Sequence, residues 1–96
     1  IQPNNVLISA GCNQAYCLAT IALAEAGDEI ILPVPYYFNH QMWLEVLGIK
    51  AVHLDCNMSQ GGLPEIDEAR RLISKKTKAI VLVTPNNPTG ATYPPD

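Results

Sequence analysis

The sequence predicts an α/β fold, with a mainly parallel sheet held between helices in three layers (α/β/α). Two observations carry this. Short apolar runs, Glu29-Ile30-Ile31-Leu32-Pro33 and Ala79-Ile80-Val81-Leu82-Val83, have the length and branching of strands, and the second is apolar enough to be covered on both faces. Stretches with helical periodicity separate the strands, and alternation of this kind implies right-handed parallel crossovers. No repeat, low-complexity tract or linker interrupts the pattern, so residues 1–96 read as one piece of one domain.

In chain order, Val6-Leu7-Ile8-Ser9 is a first short β-like run. Ala10-Gly11-Cys12-Asn13 breaks it, and a helix pattern begins near Gln14 and runs to about Glu25. That helix is apolar around most of its circumference, as for a helix inside a larger molecule. Gly27 supplies its stop. Asp28 and Glu29 before the second strand read as a solvated turn without chemistry. A second helix follows, with Phe38, Met42 and Val46, joined by Trp43 and Leu47, as its packing face, and Gly48 ends it. Lys50 to Asp55 is a third strand, on which His53 faces outward or pairs locally. Cys56 to Gly62 reads as a surface loop. Pro64-Glu65-Ile66-Asp67-Glu68 opens a third helix, with acidic residues where the dipole favours them. Its buried face is Ile66, Ala69, Leu72 and Ile73, and Arg70 and Arg71 lie off it in solvent. Thr77-Lys78 leads into the last strand.

Composition narrows the function. The 96 residues are 48% hydrophobic, which suits a globular chain. Six basic and nine acidic residues give a net charge of −3, and no basic cluster suits nucleic acid or an anionic membrane surface. Lys75, Lys76 and Lys78 mark a solvated helix end. No apolar run approaches the roughly 20 residues of a membrane span. Cys12, Cys17 and Cys56 lack metal-type spacing and read as free thiols of a reducing cytoplasm, and the isolated His40 and His53 offer no metal site. The start at Ile1 and the stop after Tyr93-Pro94-Pro95-Asp96, which resembles the approach to a further helix, read as the ends of an excised piece of a longer protein.

Three loops hold candidate chemistry. Thr84-Pro85-Asn86-Asn87-Pro88-Thr89-Gly90 follows the last strand, where α/β proteins place ligands. Its prolines fix two torsions and its glycine permits a turn, so the loop holds two amides in set directions for a planar, anionic ligand. The turn at Gly11 joins a β-like run to a helix start, whose free amides and positive dipole end suit a phosphate; a steric reason for the glycine is the alternative. Tyr36, Tyr37 and Phe38 follow Pro33 and Pro35 just beyond a strand end, where aromatic rings either join the core, as expected for Phe38, or stack on a flat ligand.

Asn87-Pro88-Thr89-Gly90 resembles the NPTG motif of class I/II aminotransferases, the fold-type I enzymes that use pyridoxal 5'-phosphate (PLP). Ala10-Gly11-Cys12-Asn13-Gln14-Ala15 is similar to the family's phosphate-gripping turn, and Ala26-Gly27-Asp28-Glu29 is close to its Pro-Gly-Asp-Glu. The order and spacing of these motifs match from Ile8 to Tyr93. The resemblance implies part of a large cofactor-binding domain, in which Asn87 donates to the phenolic oxygen of the cofactor ring. Tyr37 would lie against the ring face, with Tyr36 the second choice. Gly11, Cys12 and Asn13 would hold the phosphate through backbone N–H groups; Cys12 departs from the small or hydroxyl residue expected there. It further implies amino acid and 2-oxo acid substrates and a homodimeric, cytoplasmic parent. The family's Schiff-base lysine, its pyridine-pairing acid and its substrate-binding arginine come downstream of NPTG, and Lys50, Lys75, Lys76 and Lys78 match none of them, so this piece alone is expected to be inactive. A carbon–sulfur lyase on the same scaffold, an aminotransferase-like domain of a transcription regulator and a generic phosphate binder are the alternatives. In the family, later strands separate the first strand from the others, so Val6–Ser9 is expected to be displaced here while the last three strands pair.

Overall fold

The computed structural model describes residues 1–94; Pro95 and Asp96, on which part of the expected approach to a further helix falls, lie outside the described residues. Helix α1 spans Cys12–Leu23, strand β1 Glu29–Val34, helix α2 Phe38–Val46, strand β2 Lys50–Asn57, strand β3 Leu63–Pro64, helix α3 Ile66–Leu72 and strand β4 Thr77–Ile80. One-turn 3-10 helices stand at Pro3–Asn5 and Met58–Gln60.

The sheet order is β3-β2-β1-β4. Strand β1 pairs in parallel with β2 on one side and β4 on the other. The chain thus steps from β1 to β2 in one direction and from β2 past β1 to β4 in the other. Crossovers of one hand can do this only with their helices on opposite faces. The side chains divide accordingly. Ile30 and Leu32 of β1 pack with Leu44 and Ile49, and Ala51, Ala79 and Val81 join this α2 face. Leu54, Ile80 and Leu82 point the other way, into an apolar groove shared with Ile66, Ala69 and Ile73. Three layers result, with β1 as the central strand: Ile30, Ile31 and Leu32 are almost fully buried, as expected of a strand covered on both faces.

Several details differ from the sequence reading. Ala79–Val83, expected to be covered on both faces, lies at the sheet edge: β4 ends at Ile80 with only β1 beside it, and Ile80 and Leu82 are exposed. Val6–Ser9, in contrast, joins no strand, with Val6, Leu7 and Ile8 exposed, in the displaced arrangement expected above. On α2 the inward face is Asn39, Leu44 and the half-buried His40, Trp43 and Leu47, whereas Phe38, Met42 and Val46 are exposed. The two stripes differ by one residue, which rotates a helix face by about 100°. Strand β2 runs on to Asn57, whose side-chain oxygen accepts from Ser59 N at 3.0 Å. Gly61 and Gly62, at φ +84° and +71°, then reverse the chain so that β3 pairs antiparallel with the end of β2, where a plain loop was expected. Helix α3 buries no residue, and Ile66 and Ile73 are exposed, because only one short helix covers that face.

Asp28 and Glu29 do more than occupy a turn. Ser74 Oγ donates to Glu29 Oε2 at 2.7 Å and Lys50 Nζ donates to Oε1 at 3.0 Å, while Lys78 Nζ lies 3.7 Å from Asp28. These contacts gather the starts of β1, β2 and β4. Ser74 and then Lys50 hold the Glu29 carboxyl below its ordinary range. Arg70 and Arg71 are exposed and pair within α3 with Asp67 and Glu68, and His53 is exposed and 2.9 Å from Gln41 Oε1.

Two outcomes are expected. A carboxyl depressed on folding protonates first in the unfolded chain, so its contribution is present above the unfolded pKa, about 4.3, and is lost as pH falls through the lower folded value. Glu29→Gln should therefore flatten the loss of stability between about pH 6 and pH 3 in urea unfolding. Leu44→Ala should lower stability by about 2–5 kcal/mol, whereas Val46→Ala should change it by less than about 0.5 kcal/mol.

Candidate functional site

Between β1 and β4 the direction of winding reverses. In a parallel α/β sheet the crevice beyond the carboxyl ends of such a strand pair is the ligand position. Here Leu32 and Pro33 at the end of β1 and Val81 and Val83 beyond β4 floor a small cavity walled by Tyr36, Tyr37, His40, Asn86 and Tyr93.

The loop after β4 is a closed unit. Gly90 N donates to Asn86 O and Asn86 N donates to Ala91 O, each at 2.7 Å, and Tyr93 N donates to Thr84 Oγ1 at 2.9 Å. Gly90 takes φ +74°, which its missing Cβ permits without strain. The Asn86 side chain is buried, and its Nδ2 donates to Pro35 O at 3.2 Å. That bond ties the loop after β4 to the loop after β1. Asn87, next in the chain, is exposed.

Tyr37 precedes α2 and is half-buried. Its hydroxyl accepts from Asn39 Nδ2 at 3.1 Å, and its ring meets His40 edge-on with centroids 5.8 Å apart. His40 lies against Tyr16 of α1, ring centroids 4.6 Å apart, and its carbonyl accepts from the Tyr16 hydroxyl at 3.3 Å. Burial holds the His40 imidazole below its usual pKa, so the ring is neutral at pH 7. Burial raises the Tyr93 hydroxyl. Tyr36 turns toward the α2 surface, donating to Gln41 Oε1 and resting 5.4 Å from the His53 ring.

Helix α1 brings the third feature to the same edge. Its carboxyl end leads into the turn whose Gly27 N donates to Gly48 O, at the amino edge of the sheet. Twelve helical residues span about 18 Å and six strand residues about 20 Å, so the start of α1 reaches the carboxyl edge. The Tyr16–His40 contact, little more than one turn into α1, fixes it beside α2. Gly11 stands before that start at φ +87°, and nothing lies within 4 Å of the place a Cβ would take. The first turn has no acidic residue and no side-chain cap, and Cys12 and Asn13 are exposed. Gly11, Tyr37 and the Asn86–Asn87 loop therefore share one edge of the sheet. All three cysteines are free, and the described residues contain no cluster of metal-ligating side chains. No helix among them is long and apolar enough to cross a membrane.

The pairing loop amide, Asn86, is the residue the sequence reading passed over in favour of Asn87. Its signal was the Asn-Asn doublet between two prolines, in which the spacing alone does not tell the buried amide from the free one.

The fold is a doubly wound α/β sheet with a crevice at its switch point. The chain belongs to the class I and II aminotransferases, a family of PLP enzymes: the family model, Aminotransferase class I and II, matches residues 1–96. A glutamate-pyruvate aminotransferase of Haemophilus influenzae is 40% identical over 90 residues, which are 94% of this chain and 22% of that protein. The structure of an alanine aminotransferase from Pyrococcus furiosus superposes on 99% of the chain with a TM-score of 0.95 at 37% identity, using 24% of its own length. The aspartate aminotransferase of Thermus thermophilus with maleate gives 0.95 at 33% identity over 99% of the chain and 25% of its own. The chain thus spans about a quarter of the length of such relatives.

The buried amide predicts a contrast. Asn86→Ala leaves Pro35 O without its donor and should cost about 1–3 kcal/mol in chemical denaturation. Asn87→Ala, at an exposed position, should stay within about 0.5 kcal/mol.

Proposed function

We propose that this chain is a segment of the large, cofactor-binding domain of a longer, homodimeric and cytoplasmic aminotransferase that transfers an amino group between an amino acid and a 2-oxo acid with PLP. The convergence of a bare helix start, a tyrosine ring and an amide-bearing loop at one switch point supports this reading most. The residues fit the group. The amides at the start of α1, Cys12 and Asn13, would cradle a dianionic phosphate, strengthened by the α1 dipole, and Gly11 N, which donates to Ser9 O at 2.9 Å, would join them by exchanging that bond for the phosphate. Cys12 takes part through its backbone, so its departure from a hydroxyl residue costs the cradle nothing essential. Tyr37 offers a flat face against the pyridine ring and keeps water from it. Asn87, exposed on the loop beside it, would donate its amide N–H to the phenolic oxygen.

The bound cofactor supplies an electron sink for the charge left at the substrate's α-carbon. The chain's own residues bind and orient it. By holding the phosphate at the start of α1 and the ring between Tyr37 and Asn87, these residues would limit the freedom of the reacting carbon, and that preorganisation would be their contribution to rate. None of them moves the α-proton. The lysines stand elsewhere: Lys50 and Lys78 are tied to Glu29 and Asp28, and Lys76 O accepts from Glu29 N at 2.9 Å. All are at the amino edge, about 20 Å from the crevice by strand length.

The whole protein, given PLP, an amino acid and a 2-oxo acid, should form the new amino acid in equal amount with the new oxo acid. Net ammonia release or no turnover contradicts the reading. The 96-residue chain alone should give no turnover in the same assay. In the whole protein Tyr37→Ala should weaken PLP binding about tenfold by spectrophotometric titration.

A further inference from the structure

The cavity at the switch point contains one amide that the proposed cofactor contacts do not use. Asn86 is 6% exposed, too buried to meet a ligand as Asn87 can. A buried amide persists only when its polar atoms are matched, and the match here is long-range: Nδ2 donates to Pro35 O, 51 residues earlier in the chain. Its backbone is matched as well, through Ala91 O and Gly90 N. Asn86 is thus held at side chain and main chain at once. Pro88, whose ring fixes its own φ, limits Asn87 from the other side. On the partner loop, Pro35 lies two residues before Tyr37.

We propose that Asn86 is a positioning residue: its amide, by gripping the Pro35 carbonyl, sets the spacing between the Asn87 amide and the Tyr37 ring, and so the seat of the cofactor ring. This rests on the functional reading above. Asn86 touches no reacting atom and acts through Asn87 and Tyr37. Two consequences separate this from a role in stability alone. Asn86→Asp keeps the volume but replaces the donor with an acceptor facing a carbonyl, so it should disturb the cofactor as Asn86→Ala does. Once Asn87 has lost its amide, the position of that amide no longer matters, so much of the effect of changing Asn86 should vanish.

The test uses the whole protein loaded with PLP, and reads PLP affinity and the pH at which the bound cofactor's visible absorption band titrates. Asn86→Ala and Asn86→Asp should each weaken PLP about tenfold and shift the titration in the same direction as Asn87→Ala. Asn86→Ala/Asn87→Ala should shift the titration by clearly less than the sum of the two single shifts. If the Asn86 variants keep the unsubstituted titration while only their unfolding midpoint falls, or if the two shifts add in full, the proposal is overturned and the functional reading stands. If the unsubstituted protein takes up no PLP, the functional reading falls, and this proposal with it.

Discussion

A hydrogen bond from Asn86 Nδ2 to Pro35 O joins the two loops that flank the switch point. Strands β1 and β4 are neighbours in the sheet, but their loops are far apart in sequence and diverge by the logic of the winding: one leads to α2, the other follows a crossover on the opposite face. Backbone pairing ends near Val81, whose N–H donates to Ile31 O at 3.0 Å. Beyond that point the sheet no longer dictates how the loops lie, and the buried amide takes over. An unpaired amide at this depth would cost about 1–3 kcal/mol, so the two loops have one favoured arrangement.

The rest of the molecule can be understood as holding that edge. At the amino edge, Glu29 joins Ser74 and Lys50, and Asp28 joins Lys78, so three strand starts are gathered by charge. In the middle, Ile30, Leu32, Leu44 and Ile49 supply the apolar core under α2. At the carboxyl edge, Tyr16, His40 and Tyr37 form an aromatic chain from α1 to the loop after β1. The opposite face is thinner. A seven-residue α3 leaves Ile66, Ile73 and Leu82 exposed, and α1 exposes Leu18, Ile21 and Leu23. Relatives about four times as long have much more chain with which to cover such surfaces.

Much of this was legible in the sequence. Alternation with helices implied the parallel order, but the strand covered on both faces was expected at Ala79–Val83, and the structure puts it at β1: an apolar run does not say which strand is flanked on both sides. Loops after strand ends located the candidate site, because that relation follows from topology rather than from side-chain detail. What escaped depends on phase and partner. Whether α2 buries Phe38 or Leu44 turns on a single-residue rotation, and the inward stripe carries Asn39 and His40 beside Trp43, Leu44 and Leu47, so apolar periodicity favoured the stripe that is in fact exposed. Whether Asn86 or Asn87 is the buried amide depends on a carbonyl 51 residues away. The strand Leu63–Pro64 exists because Gly61 and Gly62 reverse the chain against the end of β2, and two residues carry too little pattern to announce a strand.

The most direct test of the account is a crystal structure of the whole protein grown with PLP. The account places the phosphate within about 2.7–3.2 Å of the amide nitrogens at the start of α1, and the ring between Tyr37 and the Asn87 amide, with Asn86 still bonded to Pro35 O. A cofactor bound away from this edge, or a ring that touches neither Tyr37 nor Asn87, would contradict it.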